Sequence, residues 1–334
     1  MSSKQKPSVV VLGGGTGTFM MLQALKRLPI QLSAVLTMVD DGGSNRKLRD
    51  EFGLLPTSGI TQCIVALSEN TSLLRELFNY RYHQGDGITG MRFGNLFLAA
   101  LTDILGSQKQ AIDETTKLLQ VKGKIFPVSY DDVRLVATYE DGSTVVGEHL
   151  IDEPKHDGKL HISQLKLEPE TTISAEARQA ILEADYIVIG PGDFYTNTAA
   201  NFVVKGVNEA LKQSPGKKMF VTNLMTKLGD TYGYTLQTFM AEVDKYYGLD
   251  GLDYVLVNNN TDYPQQAIDL YQTQDSEPIK DDLPQDEYRG VKVLRGDFFG
   301  GKMHAKAEAD ELNRSILRHD PTKFAQFFEE QFLV

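Results

Sequence analysis

The sequence predicts an α/β chain built on a doubly wound, mostly parallel sheet that carries an antiparallel β insertion. Three observations predict it. A β-branched run, Ser8 to Leu12, passes directly into Gly13-Gly14-Gly15-Thr16-Gly17. Short apolar runs alternate with segments of helical period along most of the chain. From about 123 to 170 the period drops to two, and after that stretch the α/β alternation resumes. By a typical domain size of roughly 150 residues, a chain of 334 fits two domains or one large one. An alternation interrupted once and then continued predicts one domain over 1–334, with 123–170 inserted in it.

Ser8 to Leu12 reads as the first strand, the glycines as its turn, and Phe19 to Leu28, apolar at helical spacing until Pro29, as the first helix. Leu32 to Val39 is apolar enough for a strand buried on both faces, and it ends at Asp40-Asp41-Gly42-Gly43-Ser44. From Ile60 to about Leu119 the apolar spacing is helical. Ile125 to Val128, Val133 to Tyr139, Thr144 to Leu150 and Leu160 to Leu167 are short alternating segments expected in the antiparallel insertion. Asp141-Gly142 between two of them is a hairpin signal. Beyond it come a helix near 174–183, strand Tyr186 to Ile189, helix 201–212, strand Met219 to Thr222, helix 234–247, strand Tyr254 to Val257 and helix 264–273. Residues 274–290, with six acidic side chains and two prolines, read as a loop before the strand Val291 to Leu294 and two C-terminal helices.

The 34 basic and 45 acidic side chains leave a net charge of −11, which repels a phosphate backbone unless the cations are gathered locally. A nucleic-acid binder is therefore not expected. A membrane helix needs roughly 18 to 20 continuous apolar residues, and no such run exists. Cys63, the one cysteine, cannot form an internal disulfide, which favours a reducing cytoplasm. It sits on an apolar helix face, as a small core residue does. No G-x-S-x-G elbow or H-E-x-x-H is present, and His149, His156 and His161 lack ligand spacing.

The glycine turn carries the strongest chemical signal. Glycine lets the backbone approach a phosphate while the N–H groups of the following helix point at it. The dinucleotide pattern G-x-G-x-x-G fails at its last place, Thr18, so a nicotinamide cofactor is not expected. Asp40 and Asp41 end the second strand, where an acidic residue either meets a ribose hydroxyl, helps hold a hydrated Mg²⁺, or caps the helix that follows. Arg46, Lys47 and Arg49 suit a diphosphate or, equally, a solvated helix face. Gly190-Pro191-Gly192-Asp193, Asn223 and Asn258 close later strands and would build a polar crevice. Gly296 to Met303 has P-loop spacing but ends in Met303 where a Ser or Thr must hold Mg²⁺.

Val9 to Thr18, Thr37 to Ser44, Phe93-Gly94-Asn95-Leu96, Gly190-Pro191-Gly192 with Tyr195-Thr196, and Asn223-Leu224-Met225-Thr226 together resemble the bacterial gluconeogenesis factor family. That family is a branch of the phospholactate transferase-like superfamily. The resemblance runs from about residue 8 to Arg318-His319-Asp320-Pro321. It implies a Rossmann-like core and a cytoplasmic protein needed for cell shape on gluconeogenic carbon sources, with UDP-N-acetylglucosamine as ligand; protein partners in cell-wall regulation and a homo-oligomer are compatible with it, and the sequence fixes neither. The transferase branch instead implies Mg²⁺-dependent transfer from a nucleotide-activated donor. Carried over by motif, Gly14, Gly15, Thr16 and Gly17 would contact the diphosphate, and Asp40 and Asp41 the ribose or metal. Asn95, Gly190, Gly192, Tyr195, Asn223 and Thr226 would line the crevice, joined by Tyr271 and Arg318. Two departures weigh against catalysis. Where the family has Gly-Asp-Ile-Arg-Asn-Cys this chain has Ser58-Gly59-Ile60-Thr61-Gln62-Cys63, and where it has Gly-His-Ser-Phe-Gly-Asn this chain has Gly90-Met91-Arg92-Phe93-Gly94-Asn95. Arg46, Arg92 and Arg318 are the cations expected to offset the acidic field around a diphosphate.

Overall fold

The structure, a computed structural model, describes residues 6–69, 72–303 and 315–333. Val9, Val10, Val11 and Leu12 are all buried, because strand β1 (Ser8–Gly13) is hydrogen-bonded on both edges and covered on both faces. To one side lie β2 (Gln31–Leu36) and β3 (Lys124–Pro127); to the other lie β7 (Tyr186–Ile189), β8 (Lys217–Val221), β9 (Tyr254–Asn258) and β11 (Val291–Gly296). These strands are parallel, and only β10 (Glu287–Tyr288) joins the eight-stranded sheet antiparallel, at its edge. A second sheet of three antiparallel strands holds β4 (Arg134–Tyr139), β5 (Thr144–Val146) and β6 (Ile162–Glu168), with Asp141-Gly142 in the β4–β5 hairpin as its turn signal predicts.

Alternation along β1 separates two cores. Val9 and Val11 face a layer in which helices Gly15–Leu25, Ser58–Leu67 and Pro321–Phe328 contribute Met21, Leu25, Ile64, Phe324 and Phe328. Val10 and Leu12 face the opposite layer, where helices Ala175–Leu182, Val207–Gln213 and Leu236–Tyr246 meet Leu135, Ala137, Ile162 and Leu165 of the smaller sheet. The smaller sheet thus buries its apolar face on the main fold.

Three expectations change. Ile125 belongs to β3, which pairs in parallel with β2 (Ala34 opposite Ile125), so this segment extends the main sheet instead of opening the antiparallel insertion. The strand expected over Thr144 to Leu150 stops at Val146, and Glu148–Asp152 turns helical. The helix expected over 201–212 is split: Phe194–Ala199 forms a π-helical turn, Ala200–Phe202 continues it, and Val207–Gln213 is separate. Of the two C-terminal helices, Pro321–Phe328 is present, started by Asp320, whose carboxylate accepts the N–H of Thr322 and Lys323; the stretch 304–314 before it lies outside the described residues. Among the described residues no helix is long and apolar enough to cross a membrane.

Candidate functional site

The strand order reverses its direction of growth between β1 and β7, and open α/β sheets bind ligands outside the C-terminal strand ends at such a point. The turn after β1 enters helix Gly15–Leu25 through Gly14, and no side chain caps that helix. Its first amides and the positive end of its dipole are therefore available to an anion. Thr16 and Gly17 line a cleft of about 540 Å³, a size ordinary for a small-molecule site. Across from them are Pro191, Gly192 and Asp193 after β7, and Asn223 to Leu228 after β8; Asp152 to Lys155, Tyr271, Ser315 and Leu317 to His319 close the rim. The two glycine turns touch: a Cβ on Gly17 would stand 2.1 Å from the Pro191 carbonyl oxygen.

Hydrogen bonds hold these walls. Asn223 accepts the Gly192 N–H at 3.2 Å and donates to the Gly192 carbonyl at 2.9 Å, clamping one turn to the next strand. Asp230 accepts the N–H groups of Phe194 and Tyr195 at 2.8 and 2.9 Å, which fixes the start of the π-helical turn. The Thr226 hydroxyl exchanges hydrogen bonds with the Glu277 backbone, and the Tyr271 hydroxyl accepts the N–H groups of Ile316 and Leu317, placing Arg318 at the rim.

Electrostatically the cleft is mixed. Lys227 bridges Asp152, from the helix after β5, to Asp193 after β7. Burial works against its charge, but Asp193, Asp152 and Asp230 outweigh that and hold its pKa well above the ordinary lysine value. Burial, aided by Asp193, pushes Asp230 up to about 7 against the pull of Lys227 and of the two N–H donors. Glu148 is raised well above its usual range, first by burial and then by Asp40 and Asp152. His319 is pulled down to about 4 by burial, so its imidazole is neutral near pH 7.

Of the residues expected at the site, Thr16, Gly17, Gly192, Asn223, Thr226, Tyr271 and Arg318 line the cleft together. Gly14, Gly15 and Gly190 shape the turns behind it; Gly15 and Gly190 adopt φ of +62° and +73°, values that favour glycine. Asn95 and Tyr195 do not line the crevice. Asn95 is fully buried and donates to Ser44 and Ser58 while accepting from Thr61. Tyr195 is fully buried with its hydroxyl on Tyr234 and Glu242. Arg46 lies in a separate pocket of about 230 Å³ with Asp41 and Arg134, and Arg92 is buried at the start of helix Phe93–Leu105, so neither cation faces the cleft.

Asp41 is a strut. One carboxylate oxygen accepts the His149 N–H at 2.9 Å and the other pairs with Arg134 at 3.3 Å. Asp40 accepts the Gly42 N–H at 3.0 Å, and burial, opposed by that bond and by Asn45, raises its carboxyl above the ordinary range. Mg²⁺ asks for ionised oxygen ligands in near-octahedral array, and this pair, so engaged, does not fit one. Among the described residues no group of three or more His, Cys, Asp or Glu is arranged to hold a metal. Sequence reasoning missed Asp152, Lys155, Lys227, Asp230 and His319. Lys227 directly follows the Asn223–Thr226 motif, which was its one local signal.

Comparison with known proteins is in register with this geometry. The 2-phospho-L-lactate transferase CofD family matches residues 9–299. Gluconeogenesis factor of Bacillus subtilis is 34% identical over 322 residues, covering 96% of either chain. That of Halalkalibacterium halodurans is 36% identical, covering 96% of this chain and 95% of its own. This chain belongs to the gluconeogenesis factor branch of the CofD family. A crystal structure of a Bacillus halodurans protein superposes with a TM-score of 0.86 at 34% identity, covering 97% of this chain and 99% of that one. Of the strand-end motifs, those at 9–18, 190–196 and 223–226 line or brace the switch-point cleft, while Asp41 lines the second pocket and Asn95 joins Ser44, Ser58 and Thr61.

Proposed function

We propose that this member of the family binds a nucleotide sugar of the UDP-N-acetylglucosamine kind in the switch-point cleft and acts by binding, without turnover. In this reading it is a cytoplasmic regulator of cell shape during growth on gluconeogenic carbon, working through protein partners in cell-wall control. The observation that carries the reading is the meeting of two glycine turns over an uncapped helix start, with Asn223 clamping one turn and Lys155 and Arg318 supplying positive charge beside the Asp152–Lys227–Asp193 bridge. In a chain of net charge −11 those cations and amides supply the local attraction that a diphosphate requires.

The reading without turnover rests on the positions where the family pattern has an Asp and an Arg. Gly59 stands at the first, with open space where a side chain would project. Thr61 stands at the second, its hydroxyl tied to the Thr57 carbonyl and to Asn95. Titration calorimetry with UDP-N-acetylglucosamine tests the proposal. Saturable binding is expected, weakened roughly ten- to a hundredfold by Arg318→Ala, the loss of one charged hydrogen bond. Tyr195→Phe, which removes a hydroxyl that faces the core, leaves affinity unchanged. Absence of saturable heat with any uridine or guanosine nucleotide contradicts the proposal.

A further inference from the structure

Two carboxylates and one ammonium share a wall of the cleft. Asp152, Asp193 and Lys227 all line it, and Asp193 is the most open of the three, with 30% of its side chain exposed. Lys227 donates to both carboxylates, at 3.0 Å to Asp193. One cation between two ionised acids leaves this wall one negative charge in excess. An ionised carboxylate offers about four acceptor positions and no donor, so the single bond from Lys227 leaves Asp193 with acceptor capacity for whatever enters the cleft. Its backbone is held on both sides. Gly192 before it is clamped by Asn223 through N–H and carbonyl, Phe194 and Tyr195 after it donate to Asp230, and its own carbonyl accepts the Asn197 N–H at 3.0 Å. A carboxylate fixed in this way loses little conformational freedom when a donor reaches it.

We propose that Asp193 sets which part of the ligand lies beside the second glycine turn: its carboxylate accepts a hydrogen bond from a sugar hydroxyl and turns phosphate away. The inference rests on the nucleotide-sugar reading of the cleft and names the residue that orients the ligand in it. Ionised phosphate oxygens bring charge and lone pairs but no proton, so opposite a carboxylate they meet repulsion and find no donor. A hydroxyl brings the donor, and a hydrogen bond from it to an ionised oxygen is among the stronger kinds. Ribose and hexose both carry such hydroxyls. The diphosphate is thereby left to the uncapped start of helix Gly15–Leu25, across the cleft.

The test uses the full chain and calorimetry with UDP-N-acetylglucosamine, UDP and inorganic pyrophosphate. Burial raises the Asp193 pKa while Lys227 pulls it down, so the titrations run at pH 8 to keep the carboxylate ionised. Asp193→Asn keeps the shape and an oxygen for Lys227 but removes the charge. It is expected to bind UDP-N-acetylglucosamine about tenfold more weakly while pyrophosphate binds as well as before or more tightly. In that case an equal loss for UDP assigns the hydroxyl to the ribose, and an unchanged UDP affinity assigns it to the hexose. A parallel loss for all three ligands means that Asp193 only anchors Lys227, and overturns the inference. Unchanged affinity for UDP-N-acetylglucosamine overturns it too, leaving the nucleotide-sugar reading intact. No saturable binding of any nucleotide by the wild type removes that reading and this inference with it. Should the variant fold poorly or pyrophosphate bind too weakly to titrate, a crystal of the wild type with UDP-N-acetylglucosamine decides. A sugar hydroxyl about 3 Å from the Asp193 carboxylate is expected, and a phosphate oxygen there, or no hydroxyl in reach, overturns the inference.

Discussion

Gly17→Ala tests the contact between the two glycine turns. Gly17 lies in the first turns of helix Gly15–Leu25, where alanine in place of glycine is worth up to about 1 kcal/mol in helix propensity. Against that, the new Cβ would stand 2.1 Å from the Pro191 oxygen, 2.5 Å from its carbonyl carbon and 3.0 Å from the Gly192 nitrogen. All three are backbone atoms, and the segment that carries them is held by Asn223 and Asp230, so no side-chain rotation relieves the clash. Overpacking of this kind costs about 1–3 kcal/mol, which leaves a net destabilisation of about 1–2 kcal/mol and a displaced turn. Gly59→Ala is the control. It lies in helix Ser58–Leu67 with nothing near its Cβ, so propensity alone acts and stability rises by about 0.5–1 kcal/mol. Thermal unfolding followed by circular dichroism should move the two variants in opposite directions, and Gly17→Ala should also weaken UDP-N-acetylglucosamine binding. A Gly17→Ala protein that melts at or above the wild type with unchanged affinity would refute the packing of these turns.

Two further outcomes follow from the buried charges. Asp230 has a folded-state pKa of about 7, above that of an unfolded carboxylate, so its contribution to stability is full below the unfolded value and is lost as pH rises through 7. The stability of the wild type relative to Asp230→Asn should therefore fall between pH 4 and 7.5, by at most on the order of 4 kcal/mol, in denaturant titrations at each pH; a flat difference rejects the assignment. Lys227→Met strips the cation from Asp152 and Asp193 and should destabilise by about 2 kcal/mol at pH 8, less than a fully buried pair because 24% of the lysine side chain is exposed. Since burial raises Asp193 and Asp230, acidification to pH 5.5 should recover part of that loss, and equal destabilisation at both pH values contradicts it.

What the sequence discloses divides along physical lines. β1, its turn and the strand-and-helix alternation were legible because an apolar run ending in glycines and a 3.6-residue period are local signals. Ile125 to Val128 lies in a different sheet from the one its spacing predicts for the converse reason: period-two spacing marks a strand and says nothing about its neighbour, and β3 finds β2 some ninety residues back. At the site, the motif positions marked the right loops without giving side-chain direction. Tyr195 turns inward to Tyr234 and Glu242, and Asn95 to Ser44, Ser58 and Thr61. The Asp152–Lys227–Asp193 bridge joins three segments that only the fold assembles, and no spacing rule reaches it.

The most direct measurement of the central claim is a crystal structure of this chain grown with UDP-N-acetylglucosamine. The account predicts ligand density in the switch-point cleft, with the diphosphate against the Thr16 and Gly17 amides and the Gly192 turn, and with Arg318 in contact. Density confined to the Asp41, Arg46 and Arg134 pocket, or a cleft left empty at saturating ligand, would contradict it.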